Sequence, residues 1–143
     1  SLYPCDYDEN RHFQVFLTQM ICTFLFVLEI LVIKGRYTAP TQDGMLGALA
    51  VGLGLFAIIN LDTIEGPCFN PAIGLVQTTY QNYYIDIPGD SKNSLTKYLW
   101  AYTLGPAAGG LIAGAAHIFH NKTVEMMKHE ARHKEEGYDE IDR

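Results

Sequence analysis

Uncharged apolar stretches alternate along the chain with short polar ones. Residues 13–33 carry a single charged residue, Glu29, and residues 45–61 and 98–119 carry none, whereas charges crowd the N-terminal arm, the connections and the tail from Asn121. Crossing a hydrocarbon core of about 30 Å takes about 20 helical residues. Residues 13–33 and 98–119 meet that length. Residues 45–61 lie at its lower limit, with Gly44 and Asn60-Leu61-Asp62 available to the interfaces. The pattern predicts three membrane-spanning helices; for 45–61 the alternative is a helix buried in protein.

On a helical wheel, Gln14, Thr18, Cys22 and Glu29 share one side of the first helix, with Gln19 and Thr23 beside them. Lipid cannot satisfy such groups, so this stripe faces protein or water. Glu29, near the helix end, either snorkels to the interface or meets a buried partner. The second helix places Gly44, Ala48 and Gly52 at intervals of four, and the third does the same with Gly105, Gly109 and Ala113. Rows of small residues let helix backbones approach closely, which is what holds a bundle together in lipid. The two rows predict tight helix neighbours, within this chain or from others.

Between the second and third spans the pattern changes. Thr63-Ile64-Glu65-Gly66-Pro67-Cys68-Phe69 is irregular, and Asn70-Pro71-Ala72 then opens an apolar run to Tyr80. Asparagine is a good N-cap, and proline at the first helical position loses nothing by lacking an N–H. A helix over residues 71–80 measures about 15 Å, half a bilayer. It can enter the membrane and cannot cross it. Irregular backbone at that depth is tolerated where it packs in protein or lines a wet cavity. The predicted site is therefore the start of this half-helix, where unpaired N–H groups, the positive dipole end and the Asn70 carboxamide can orient water or a polar solute. The alternative is a loop and amphipathic helix lying in the interface.

The ordered set of pieces resembles the second half of the major intrinsic protein (aquaporin) family. It comprises Thr23-Phe24-Leu25, Ala50-Val51-Gly52-Leu53, Gly66 four residues before Asn70-Pro71-Ala72, and Trp100 followed by Leu104-Gly105-Pro106-Ala107-Ala108-Gly109-Gly110. The resemblance implies an hourglass pore in which two Asn-Pro-Ala half-helices, one from each repeat, meet at mid-membrane; this chain supplies one. It also implies filter positions at Ile58 and Ile73, where the family often has a histidine and usually an arginine. Gln19 stands where the family usually has a glutamate bracing the pore loop. The fold class expected is thus an all-α membrane protein, half of an aquaporin-like fold. It would hold three transmembrane helices, one re-entrant half-helix and a charged C-terminal helix. The expected units are a polar arm (1–12), the half domain (13–119) and an extramembrane tail (120–143).

Composition sharpens this picture. The chain has 143 residues, 48 % of them hydrophobic, and a net charge of −6 that argues against nucleic acid. Cys5, Cys22 and Cys68 are too scattered for a disulfide framework. The chain opens at Ser1 without a methionine, which suggests an N-terminal piece removed or missing. Arg11, Lys92 and Lys97 fall on the face of the half-helix entrance. The other face takes Lys34, Arg36, Lys122, Lys128, Arg132, Lys134 and Arg143. The positive-inside rule then puts the tail in the cytoplasm or the mitochondrial matrix. Within the tail, His129-Glu130-Ala131-Arg132-His133 matches the H-E-x-x-H pattern of zinc proteases. It lacks a third ligand and a dry cavity, so a solvated helix is the preferred reading. No cofactor and no metal are expected, with His129 and His133 the weak candidates. Asn121-Lys122-Thr123 matches a glycosylation sequon but falls on the wrong side.

Re-entrant backbone needs protein around it, so a half of this kind needs other membrane subunits besides the lipid bilayer. Ile58, Ile73 and the missing half favour a structural accessory subunit of a larger membrane complex, with a respiratory complex of the mitochondrial inner membrane as the specific guess. The alternative is a channel for water or small neutral solutes formed by pairing with a second half. Neither reading makes the chain an enzyme, and a membrane metalloprotease is the outlier.

Overall fold

The computed structural model describes residues 11–35, 38–41, 43–61, 66–84 and 97–141, with the side chains of Asn82 and of 133–141 left aside. Most of the N-terminal arm, Thr63-Ile64-Glu65, most of the second connection and the side chain of His133 lie outside the described residues. Four helices make up the described part: α1 (His12–Lys34), α2 (Gly44–Leu61), α3 (Pro71–Tyr84) and α4 (Leu99–Ile141).

Not every helix starts on a cap: Arg11, which precedes α1, makes no side-chain cap bond, whereas α2 has one. Asp43 caps α2, its Oδ1 accepting from Met45 N–H at 2.8 Å, and its charge complements the positive dipole end. Lys34 in the last turn of α1 complements the opposite end, and the Thr38 hydroxyl donates to Val32 O at 2.9 Å. α1 and α2 are the two described helices that reach the length and apolar character of a membrane span. The uncharged first part of α4 falls where a third span is expected. There the helix does not stop. With no glycine or proline between Gly114 and Gly137, span and tail form one 43-residue helix, about 65 Å long. The sequon lies inside it, with Thr123 Oγ1 donating to Phe119 O at 3.0 Å.

The bundle is organised around α4, which packs against α1 and α3, while α2 packs on α1. The α4 row lies against α1. A Cβ at Gly105 would lie 2.8 Å from Gln19 Cβ, one at Gly109 would overlap the Met20 carbonyl of α1, and Ala113 is fully buried. Among the described residues, nothing packs closely on the α2 row. Gly44 and Gly52 have nothing within 4 Å and Ala48 is exposed. α2 instead meets α1 through Gly47, near Ile33, and Gly54, against which the Glu29 carboxylate lies. At 100° per residue these glycines and buried Ile58 form a line about 90° round the helix from the predicted row. Glu29 therefore has its place at the α1–α2 contact.

Aromatic side chains join α1 and α4 at the arm end of the bundle. The His12 ring stacks on Tyr98 at 4.6 Å, and Phe16 on Trp100 at 5.6 Å. Interfacial anchors are often of this kind.

Candidate functional site: the re-entrant half-helix

The loop before α3 is held by α1. Gln19, fully buried, accepts from Cys68 N–H through Oε1 at 3.0 Å and donates from Nε2 to Gly66 O at 3.4 Å. A side-chain amide can serve both groups because it carries donor and acceptor; a carboxylate serves only the first. Gly66 (φ 69°) and Phe69 (φ 55°) both take the left-handed backbone region. At Phe69 that conformation is uncommon and costs about 1–3 kcal/mol unless the surroundings impose it. The surroundings are the Gln19 clamp and the Phe26 ring, whose centroid lies 5.0 Å from that of Phe69.

These two turns aim the chain into α3. Asn70 Oδ1 accepts from Ala72 N–H at 2.9 Å, and Asn70 O accepts from Gly74 N–H at 2.9 Å. Asn70 thus caps the helix and opens its ladder, with Pro71 at the first helical position. The cap uses the carboxamide oxygen, which leaves the Nδ2 hydrogens as donors at an exposed tip. α3 runs to Tyr84, one turn beyond the apolar run, and its 14 residues give about 21 Å, still short of a bilayer.

α3 has two unlike faces. Gly74, Thr78 and Gln81 are buried, and Gly74 lies directly against the Tyr102 carbonyl of α4. The other face, Ala72, Ile73, Val76, Gln77 and Tyr80, lines an open, almost wholly apolar groove of about 430 Å³. Ile73 is 49 % exposed on it. Ile58, the other filter-equivalent residue, is buried on α2, and α2 does not pack on α3. The fold thus brings Asn70, Pro71, Ala72, Ile73 and Gln19 into one locality and leaves Ile58 on a separate wall. Among the described residues no cluster of His, Cys, Asp or Glu could hold a metal. His129 stands exposed on the α4 extension.

Sequence reasoning passed over Cys68, Gly74 and Tyr102. Cys68 Sγ–H donates to Tyr102 O at 3.4 Å, so these three residues join the loop, the half-helix and α4. A readable signal existed in Pro106, which lies four residues after Tyr102 and denies that carbonyl its helical donor.

Comparison with known proteins bears on the same region. A family model, Major intrinsic protein, matches residues 7–117. The chain is 31 % identical over 107 residues to glycerol uptake facilitator protein 3 of Lactiplantibacillus plantarum, a match covering 74 % of this chain and 40 % of that protein. The chain therefore spans less than half the length of that curated relative. No solved structure gives a significant match.

Proposed function

Because the chain belongs to the major intrinsic protein family and is an aquaporin-like integral membrane protein, we propose that it forms one wall of a channel for small uncharged solutes of about glycerol size. The observation that carries this reading is the two-faced half-helix. One face is fastened to α4, its loop is tied to Gln19, and the other face lies open beside the positive end of α3. Cations and protons are disfavoured at such an end, whereas a neutral solute is not. A polyol has hydroxyls for the Asn70 carboxamide and a carbon edge for Ile73 and Val76. The second wall comes from another half, in the same polypeptide or in a partner. This reading gives the chain no catalytic chemistry.

A second reading keeps the fold and drops the flux. Ile58 and Ile73 offer no polar filter group, and this favours an accessory subunit of a larger membrane complex, with the mitochondrial respiratory complexes as its specific form. One experiment separates the two. Stopped-flow light scattering of liposomes holding the purified protein is expected to show glycerol and water flux, reduced at least about tenfold by Asn70→Asp, which places a charge where the solute passes. Absence of flux together with copurification at fixed stoichiometry with a large complex would replace the channel by the accessory role.

A further inference from the structure

Proline inside a helix removes one backbone donor, and the carbonyl four residues earlier loses its partner. In α4 the proline is Pro106 and the carbonyl is that of Tyr102. Tyr102 is 1 % exposed, so this acceptor lies away from bulk water. Two groups of the re-entrant segment approach this carbonyl. Cys68 Sγ–H donates to Tyr102 O at 3.4 Å, and Gly74 approaches so closely that a Cβ there would overlap the same oxygen. One group comes from the loop before Asn70 and the other from the first turn of α3.

We propose that Pro106 is a positioning residue for the half-helix: by offering the Tyr102 carbonyl no helical N–H, it lets that point on α4 accept from Cys68 and lie against Gly74, seating the loop and the start of α3. The arrangement explains three otherwise unrelated sequence features. Proline at 106 supplies the acceptor, a donor side chain at 68 uses it, and glycine at 74 lets α3 come near enough for Cys68 to reach. Asn70 lies between the two contacts in sequence, so its carboxamide is fixed from both sides. Gln19 holds the same loop from α1, at the backbone of Cys68. The loop residue 68 is thereby tied to two helices, by its N–H to α1 and by its thiol to α4.

Any effect on permeation rests on the channel reading; the seating of the half-helix does not. The test uses the full protein with Cys5→Ala and Cys22→Ala, which leaves Cys68 as its thiol, in liposomes. Infrared absorption of the S–H stretch is expected at the lowered frequency of a hydrogen-bonded thiol. It should move towards the free-thiol value in Pro106→Ala, where the new N–H takes the Tyr102 carbonyl. That variant gains a helical bond and is expected to fold. An S–H band unmoved by Pro106→Ala overturns the proposal. The second readout is the ratio of glycerol to sorbitol flux, which should fall about threefold in Pro106→Ala and Cys68→Ala, the scale of one weak hydrogen bond, and recover in Cys68→Ser. A shifted band with an unchanged ratio in a conducting protein overturns the positioning role. If the parent conducts nothing, the channel reading fails, and the S–H band still decides the seating of the half-helix.

Discussion

Replacing Gln19 with leucine cuts the tie between α1 and the re-entrant loop while leaving the packing volume almost unchanged. Gln19 is fully buried and serves two backbone groups, Cys68 N–H at 3.0 Å and Gly66 O at 3.4 Å. A buried polar group left without a partner costs about 1–3 kcal/mol. The shorter bond counts fully, and the longer one, near the limit of useful geometry, about half. The expected loss is about 1.5–4.5 kcal/mol. At about 3 °C per kcal/mol for a chain of this size, the midpoint should fall by about 5–13 °C. Thermal loss of the monodisperse peak of detergent-solubilised protein measures it, and alkylation of Cys68 reports whether the loop has opened. Gln14→Leu, at an exposed position of the same helix, is the control and should stay within about 0.5 kcal/mol. A Gln19→Leu midpoint within about 1 °C of the parent, with Cys68 no more reactive, would refute the clamp.

Gly109→Val should abolish folding or cost more than about 3 kcal/mol, because the new side chain meets the Met20 backbone and not a side chain that can turn aside. Gly52→Val should leave the midpoint within about 1 kcal/mol, since nothing lies within 4 Å, and equal losses for both variants would contradict the packing described here. Asn70→Ala removes the cap on Ala72 N–H and should lower stability by about 1 kcal/mol, whereas Asn70→Asp keeps the cap; unfolding midpoints of the two variants separate this effect from flux. Lys128→Cys should react with a membrane-impermeant maleimide only after right-side-out cells are opened, as the Lys and Arg distribution requires, and labelling of intact cells would reverse the orientation.

What could be read from the sequence depended on which kind of signal each element carried. The ends of α1 and α2 fall within a residue of the expected 13–33 and 45–61 because Arg11, Lys34 and Asp43 mark where the apolar runs stop. The end of α3 was less legible. Thr79 satisfies its hydroxyl within the helix, by donating to Leu75 O at 2.7 Å, and Gln81 is buried, so polar residues that look like an exit prolong the helix by a turn. The tail joins α4 without a break because nothing in residues 115–136 interrupts a helix. Wheel geometry located both rows of small residues but could not say which way each turns. On α2 the line of Gly47, Gly54 and Ile58 competed with Gly44, Ala48 and Gly52, and tertiary contact decided for the former. A scattered cysteine such as Cys68 carries no sequence signal of a donor role. Its role as a donor depends on a carbonyl 34 residues away, and no local pattern contains that separation.

Two of the surfaces that the described residues leave open differ in kind, and the difference bears on where a partner and a passage would lie. At the half-helix, several of the backbone groups that lipid could not satisfy have partners. Gln19 serves Gly66 O and Cys68 N–H, Cys68 serves Tyr102 O, and Asn70 serves Ala72 N–H. What faces Ile73, Val76 and Tyr80 meets bulky side chains that hold it away from the helix backbone. A separation of that sort suits a lumen. The outward row of α2 has the opposite character. Gly44, Ala48 and Gly52 present almost no side chain, and a second helix can gain dispersion contacts there only by approaching to backbone distance. On the channel reading proposed above, contact falls to α2 and clearance to α3. A bulky residue at Gly52 should weaken assembly while sparing the fold, and one at Ile73 should narrow flux while sparing assembly. If both substitutions impaired assembly equally, the face of α3 would be an interface, and the channel reading would lose the observation on which it stands.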